Sequence, residues 1–382
     1  ATCKLLRLGH LSLKDVRDGA EGELGWKLLT DTTSSIVPEK AEKSVVLEDF
    51  GDFLDELISQ TLPVEGPICL KIMPYAHGSN GSKGMMLYVN GNHAMCDGRS
   101  LIQFIDLASS ETSEVSAWKE MAPLPDWKEM LEAVRLENWQ DEPSYLPYPS
   151  ISIQDLLGNH SHPITRFVET FRFDVPGSTL KSLRDHLHHR AAEATWTGLL
   201  IAIILRALAL ERSGQDPNAF LGVSVLVDLR GYLAKDFSFP EVQLPQAHGT
   251  VTVVDSITGI LKNSSLDSLW EKSTEMTHQL RQRLSRGEAL RSAMALTSGL
   301  FDAPGGTIEL SNLGVCRIPE GAKLFTAQRF DEYDGVSWMV HTDGNQEGTM
   351  RWTVSIGKGL DATLLRRCFT KAVELCTALS RP

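Results

Sequence analysis

His93, Asp97 and Gly98 fall within one short stretch, Asn92-His93-Ala94-Met95-Cys96-Asp97-Gly98. A neutral imidazole at the end of a strand can project into a cleft and accept a proton near pH 7. Asp97, four residues on, is either a second catalytic or orienting group or simply the N-cap of a following helix. Other histidines carry less chemistry. His186 and His189, in Asp185-His186-Leu187-His188-His189, have i, i+3 spacing, but no carboxylate or cysteine completes a metal sphere. A solvated helix face and no metal are expected there, and His160 and His162 carry no more weight. The six cysteines, Cys3, Cys69, Cys96, Cys316, Cys368 and Cys376, form no Cys-x-x-Cys pair and are expected to be buried reduced thiols. No dinucleotide fingerprint, phosphate loop, zinc-protease motif or nucleophile elbow occurs.

The elements around these residues can be read from their patterns. Lys83–Gly91 alternates Met85, Leu87 and Val89 against Met86 and Tyr88, a strand running straight into the His93 stretch. Ser100–Leu107 follows as a helix turning Leu101, Phe104 and Ile105 to a core. Asp141–Pro163 holds four prolines and little periodicity and is the expected linker. Beyond it come a strand at Arg166–Val175, a helix from Ser178 to about Ala192, and Ala194–Arg212, apolar nearly all round and therefore a buried helix ending at Gly214. Strands follow at Phe220–Val227 and Gly249–Val254, then a helix over Leu266–Leu284 with Leu269, Trp270, Leu280 and Leu284 on its apolar side. A strand over Thr307–Ser311 is expected to end in the turn Asn312-Leu313-Gly314. A hairpin around Asp343-Gly344-Asn345 and a helix over Asp361–Leu379 close the chain. On the hairpin, Trp338 and His341 point to opposite faces unless a bulge intervenes, and packing is the expected role of both. The mixture of strands and helices, without a regular βαβ rhythm, predicts a mixed-sheet α/β or α+β architecture.

Length and composition bound the rest. At about 150 residues per domain, 382 residues predict two domains. Hydrophobic residues at 42% and charged residues at 23% exclude a disordered or fibrous chain. A net charge of −12 and a pI near 5.4 argue against nucleic acid or an anionic membrane surface as partner. The longest apolar run, Gly198 to Leu210, is broken by Arg206 and too short for a membrane span, and the N-terminus has no secretory core. A cytoplasmic monomer is expected.

Asn-His-Ala-Met-Cys-Asp-Gly resembles the His-x-x-x-Asp-Gly motif of the chloramphenicol-acetyltransferase-like superfamily, which includes alcohol acetyltransferases, polyketide-associated acyltransferases and peptide-synthetase condensation domains. Further stretches agree in order and spacing. The segment 194–210 (ATWTGLLIAIILRALAL) resembles the family's buried helix, 224–233 (SVLVDLRGYL) its Val-Asp-Leu-Arg strand end, and 308–315 (IELSNLGV) the Ser-Asn-x-Gly strand end of the alcohol acetyltransferase and polyketide-associated branch. The resemblance runs from about residue 84 to the C-terminus. Asn92 stands where some members carry a first histidine. The Asp-Phe-Gly-Trp-Gly motif of plant acyltransferases is missing, and Arg329–His341 holds nothing like it. The part before His93 is short for the family, which would leave part of the tunnel lining outside this chain.

The resemblance implies two similar mixed α/β domains, 1–150 and 164–382, joined by the linker 141–163, with a tunnel at their interface and His93 at its middle. It implies an acyltransferase that moves an acyl group from a thioester to a hydroxyl or amine of a small, secondary-metabolite acceptor, with His93 as general base and no covalent intermediate. Ser311 and Asn312 are then the oxyanion or substrate candidates; the alternative is an Asx turn with Gly314 supplying the bend. Asp97 would point away from substrate and pair with an arginine, Arg230 or the nearer Arg99, with Gly98 completing the loop. No cofactor is held permanently; acyl-CoA is the expected co-substrate. An acidic carrier protein is the other possible donor, disfavoured by the chain's own negative charge. A second reading keeps the tunnel and His93 but not acyl transfer: a natural-product cyclase or dehydratase, or a binding protein.

Overall fold

The computed structural model describes residues 10–12, 27–29, 45–46, 68–76, 83–91, 97–109, 168–212, 216, 218–233, 248–263, 265–297, 308–316, 336–344, 348–357 and 362–381. The linker expected at 141–163 and the helix stop at Gly214 lie outside them. The described elements group into two compact units.

The first unit holds β1 (His10–Ser12), β2 (Lys27–Leu29), β3 (Val45–Val46), β4 (Ile68–Ala76), β5 (Lys83–Gly91) and α1 (Gly98–Ser109). β1 and β2 pair antiparallel, while β3, β4 and β5 form a separate sheet in that order. β4 and β5 are antiparallel over their whole length, from Ile68 opposite Gly91 to Ala76 opposite Lys83. The alternating strand and the helix expected on either side of the His93 stretch are therefore both present. On α1, Ile102 is the buried apolar residue, flanked by half-buried Leu101 and Ile105.

The second unit holds the remaining elements: β6 (Val168–Val175), α2 (Gly177–Arg190), α3 (Trp196–Glu211), β7 (Phe220–Asp228), α4 (Arg230–Leu233), β8 (His248–Ser256), α5 (Ile257–Leu261), α6 (Ser268–Ser285), α7 (Glu288–Thr297), β9 (Ile308–Cys316), β10 (Val336–Asp343), β11 (Met350–Gly357) and α8 (Ala362–Leu379). Its strands make one mixed sheet, in the order β6-β11-β10-β9-β7-β8. β9 runs parallel to both β10 and β7, and the outer pairs are antiparallel.

This sheet has two chemically different faces. One carries Val223, Val225, Leu310, Trp338, Trp352 and Val354, all buried. Trp338 and Trp352 meet edge to face at 5.6 Å and both pack on Phe369 of α8. Over the same face lies α3, whose residues Leu199–Leu205 are wholly buried and which packs between α6 and α8. A helix apolar all round has no face for water, so it is central rather than peripheral. Arg206, the one charge in this run, is kept by donating to the Asn263 carbonyl and to Ser268 Oγ. The flanking helices have one-sided patterns, with Leu180, Leu183 and Leu187 on α2 and Leu269, Trp270, Met276 and Leu280 on α6 buried.

The approach of α3 to α6 depends on Gly198. A Cβ there would stand 2.1 Å from Thr277 Oγ1 and 2.6 Å from the Ser273 carbonyl oxygen. Thr277 is itself held, donating to the Ser273 carbonyl and accepting from the Thr195 backbone N–H at 2.9 Å. Gly198→Ala should therefore force the helices apart and cost about 1–3 kcal/mol, the usual range for overpacking. A lowered urea midpoint at unchanged slope is the expected measurement; an unchanged midpoint would show that the contact relaxes freely.

Candidate active site

β5 delivers the chain to the His93 stretch and α1 leads it away. Asn92–Cys96 lie outside the described residues, but the motif's second half is placed at the helix start. Asp97 is 6% exposed, and its Oδ1 accepts hydrogen bonds from the Ser100 backbone N–H and the Ser100 hydroxyl, both at 2.9 Å. This is an N-cap, as the residue type suggested, and it makes Gly98 the first residue of α1. Ser100, wholly buried, is a partner the motif reading missed. An Asp followed three residues later by a hydroxyl at a helix start was the signal for it. Asp97 has further interactions besides this cap.

Arg230 opens α4 at the end of β7 and is 7% exposed. Its backbone N–H and its Nη1 both donate to Asp228 Oδ1 at 3.0 Å. The Asp in Val-Asp-Leu-Arg thus clamps the strand-to-helix turn and fixes the Arg two residues on. Asp97 and Arg230 belong to different units.

Ser311 and Asn312 sit on β9, but β9 does not stop there. The strand continues to Cys316, because its parallel pairing with β10 resumes at Gly314 opposite His341 and Val315 opposite Thr342. Leu313 is the extra residue, a bulge. The Asx turn expected at this point exists inside the strand instead of ending it. Asn312 Oδ1 accepts from the Gly314 N–H at 3.1 Å, and Gly314 takes φ +70°, a conformation that favours glycine. The amide of Asn312 is held at both ends, since its Nδ2 donates to Thr197 Oγ1 at the start of α3, 3.1 Å away. Asn312 therefore faces the helices. Ser311, its neighbour on a pleated strand, faces the opposite side, is buried, and has no hydroxyl partner among the described residues.

That opposite face is polar. Arg351 on β11 grips Asp174 on β6 through two hydrogen bonds, Nε to Oδ1 at 2.6 Å and Nη2 to Oδ2 at 2.5 Å. His341 lies directly across from Arg351, wholly buried. The β10–β11 pairing is unbroken and the bulge belongs to β9, so Trp338 and His341 do point to opposite faces.

The remaining candidates are structural. His186 Nδ1 hydrogen-bonds the Leu379 carbonyl at 2.9 Å and its ring stands edge-on to Trp270, which docks α2 on the end of α8. His188 and His189 are exposed, and among the described residues no group of His, Cys, Asp and Glu could hold a metal. Cys316, Cys368 and Cys376 are buried and form no disulfide. Burial pushes the Cys368 thiol up to about 12 and that of Cys376 up as well, so neither is a thiolate nucleophile near neutral pH.

The Thr197–Asn312 contact ties the first turn of α3 to the bulge. Thr197→Val or Asn312→Ala should each cost about 0.5–1.5 kcal/mol, the usual net worth of a hydrogen bond, since both residues are half-buried. The double variant should lose less than the sum, with a coupling of about 0.5–3 kcal/mol in urea unfolding. Additive losses would mean the two residues act independently.

No protein-family model matches this sequence, and no curated protein matches it significantly. Solved structures do. Polyketide synthase associated protein 5 from Mycobacterium tuberculosis superposes with a TM-score of 0.57 at 15% identity, over 98% of this chain and 87% of that one. The epimerization domain from the third module of tyrocidine synthetase B gives 0.56 at 15%, over 88% and 78%. Trichothecene 15-O-acetyltransferase from Fusarium sporotrichioides gives 0.55 at 11%, over 86% and 74%. Among the described residues no helix is long and apolar enough to cross a membrane. With a mixed α/β architecture and a six-stranded mixed sheet in its second unit, the chain shares the fold of these solved structures.

Proposed function

We propose that this protein is an acyltransferase in which His93 is the general base. The observation that carries the reading is a conjunction: the superfamily fold, with His93-x-x-x-Asp97-Gly98 at a β5-to-α1 junction where Asp97 and Gly98 start the helix. In this reading the donor is an acyl thioester, acyl-CoA in preference to a carrier protein, and the acceptor is a small molecule bearing a hydroxyl or amine. The two meet at His93. The imidazole of His93 takes the acceptor's proton as the acceptor oxygen or nitrogen bonds to the thioester carbonyl carbon. The C–S bond then breaks, and the proton passes from His93 to the departing thiolate. Direct transfer fits the high thiol pKa values of Cys368 and Cys376, which offer no nucleophile for an acyl-enzyme. Ser311 is the oxyanion donor of the pair proposed from sequence, because its hydroxyl has no hydrogen-bond partner among the described residues, whereas Asn312 is held at both ends and sets the bulge.

One comparison favours a second reading. The same fold serves an epimerization domain, a reaction other than acyl transfer by its name, and function resides in sites grafted on folds. The alternative is a cyclase, dehydratase or binding protein that uses the tunnel and His93 without a thioester. Incubation with acetyl-CoA or longer acyl-CoAs and an alcohol separates the two, since only the acyltransferase liberates thiol.

His93→Ala should lower thiol release at least about a hundredfold, the lower end of what a general base contributes, with little change in melting temperature. A variant retaining more than about a hundredth of the wild-type rate would exclude His93 as the base.

Asp97 is proposed to pair with Arg230 in addition to capping α1. Loss of the cap alone is worth about 1 kcal/mol, whereas stranding one partner of a buried ion pair costs about 3–5 kcal/mol. Asp97→Ala should therefore destabilise well beyond a capping loss. Combined with Arg230→Ala it should show a coupling of about 0.5–3 kcal/mol in urea unfolding. Additive losses would leave Asp97 as the helix cap and Arg230 as the partner of Asp228.

A further inference from the structure

Ser311 owes its place on the polar face to its neighbour. The Asx turn at the bulge needs only one end of the Asn312 amide, the Oδ1 that accepts from the Gly314 N–H. The other end makes a contact the turn does not require. Its Nδ2 donates to Thr197 Oγ1 at 3.1 Å, across 115 positions of chain, and joins β9 to the helix layer. Thr197 stands on a fixed base. Two residues before it, Thr195 donates its backbone N–H to Thr277 Oγ1 at 2.9 Å and caps α3 by accepting from the Gly198 N–H at 3.1 Å. Just after it, Gly198 lies against α6 without room for a Cβ, and Leu199–Leu205 are wholly buried. The first turn of α3 is thus the rigid member of the pair, and Asn312 is held to it.

Asn312 and Ser311 are consecutive residues of one strand, about 3.8 Å apart at Cα, with side chains on opposite faces. A tilt of the Asn312 backbone therefore displaces the Ser311 hydroxyl on the other side of the sheet. An oxyanion donor tolerates little displacement, because it must stand about 2.7–3.1 Å from the developing charge. We propose that Thr197 is a positioning residue for acyl transfer: by holding Asn312 it fixes the Ser311 hydroxyl, without touching either substrate. The inference rests on the reading of Ser311 as oxyanion donor. It adds a residue from another element, whose loss lowers turnover and leaves substrate affinity alone. A contact that only sealed α3 onto the sheet would show in stability and nowhere else.

Thr197→Val removes the acceptor at nearly constant side-chain volume, and Thr197→Ser keeps it. In the thiol-release assay with acetyl-CoA and an alcohol, Thr197→Val should lower kcat about tenfold to a hundredfold, the scale of a donor misplaced by about 1 Å. Both KM values should stay within about twofold of wild type. Thr197→Ser should restore kcat to within about threefold. Ser311→Ala supplies the decisive background: there Thr197→Val should lower kcat no further, because the group it positions is gone. An unchanged kcat in Thr197→Val, or an equal fall with and without the Ser311 hydroxyl, overturns the proposal. Wild-type kcat in Ser311→Ala alone removes the oxyanion reading, and this inference with it. If the wild-type protein releases no thiol, the acyl-transfer reading fails, and amide hydrogen exchange decides the positioning of the Ser311 segment separately. Exchange across 308–316 should then be about fivefold to tenfold faster in Thr197→Val than in wild type or Thr197→Ser, the effect of one lost hydrogen bond. Equal exchange in all three overturns it.

Discussion

Helix α3 must be kept from water on every side, and the arrangement of the second unit follows from that demand. With Leu199–Leu205 fully buried, it needs α6 on one flank, α8 on the other and an apolar sheet face beneath. The sheet meets the demand on one side only, through Val223, Leu310, Trp338, Trp352 and their neighbours, and so acquires a second face of different composition. Contacts at the helix ends then become accurate as a consequence of dense packing, since a close-packed interior transmits small shifts. Gly198 removes the one Cβ that would keep α3 from α6, and Thr195 caps the helix by accepting from the Gly198 N–H at 3.1 Å.

The same packing reaches the candidate site through one polar contact. Thr197 lies on the first turn of α3, and its hydroxyl holds Asn312 on β9. Asn312 in turn holds the turn at Gly314, which lets β9 take in Leu313 and still pair with β10 to its end. A bulge re-aims the side chains around it. In this strand it separates two adjacent residues into two roles: Asn312 is bound to the helix layer, and Ser311 is presented on the polar face beside Met339. The clamp at Asp228 and Arg230 and the cap at Asp97 and Ser100 work alike, each using a short carboxylate to hold the first turn of a helix. These side chains position backbone first, and chemistry is built on that rigidity.

Fold and reaction separate at this point. At 11–15% identity the solved relatives share a backbone plan with this chain, and their names span an acetyltransferase and an epimerization domain. The acyl-transfer proposal rests on the chemistry of particular residues: His93 two positions beyond β5 in the sequence, the Ser311 hydroxyl on β9, which has no hydrogen-bond partner among the described residues, and the thiols of Cys368 and Cys376, kept protonated by burial.

By itself the sequence determined many of the elements whose pattern is local, although it left β1–β4, α4, α5 and α7 unread. The all-apolar run 194–212, the one-sided helices at 178–192 and 266–284, and the hairpin around Gly344 were legible because side-chain period and turn chemistry are properties of neighbours in the chain. So were the fold class, through the spacing of motifs, and the cap at Asp97, through residue type. What the sequence could not determine were matters settled between distant segments. Ser-Asn-Leu-Gly reads locally as a strand end, and only the partner strand β10, pairing beyond it, makes it a bulge inside a longer strand. The reach of Asn312 to Thr197 spans 115 positions in the chain, and the hydrogen bond of His186 to Leu379 spans 193. The two faces of the sheet likewise came from tertiary structure alone. A serine on a strand is read as solvent-facing by default, and whether it is instead buried without a partner depends on what packs over it, which no local pattern encodes.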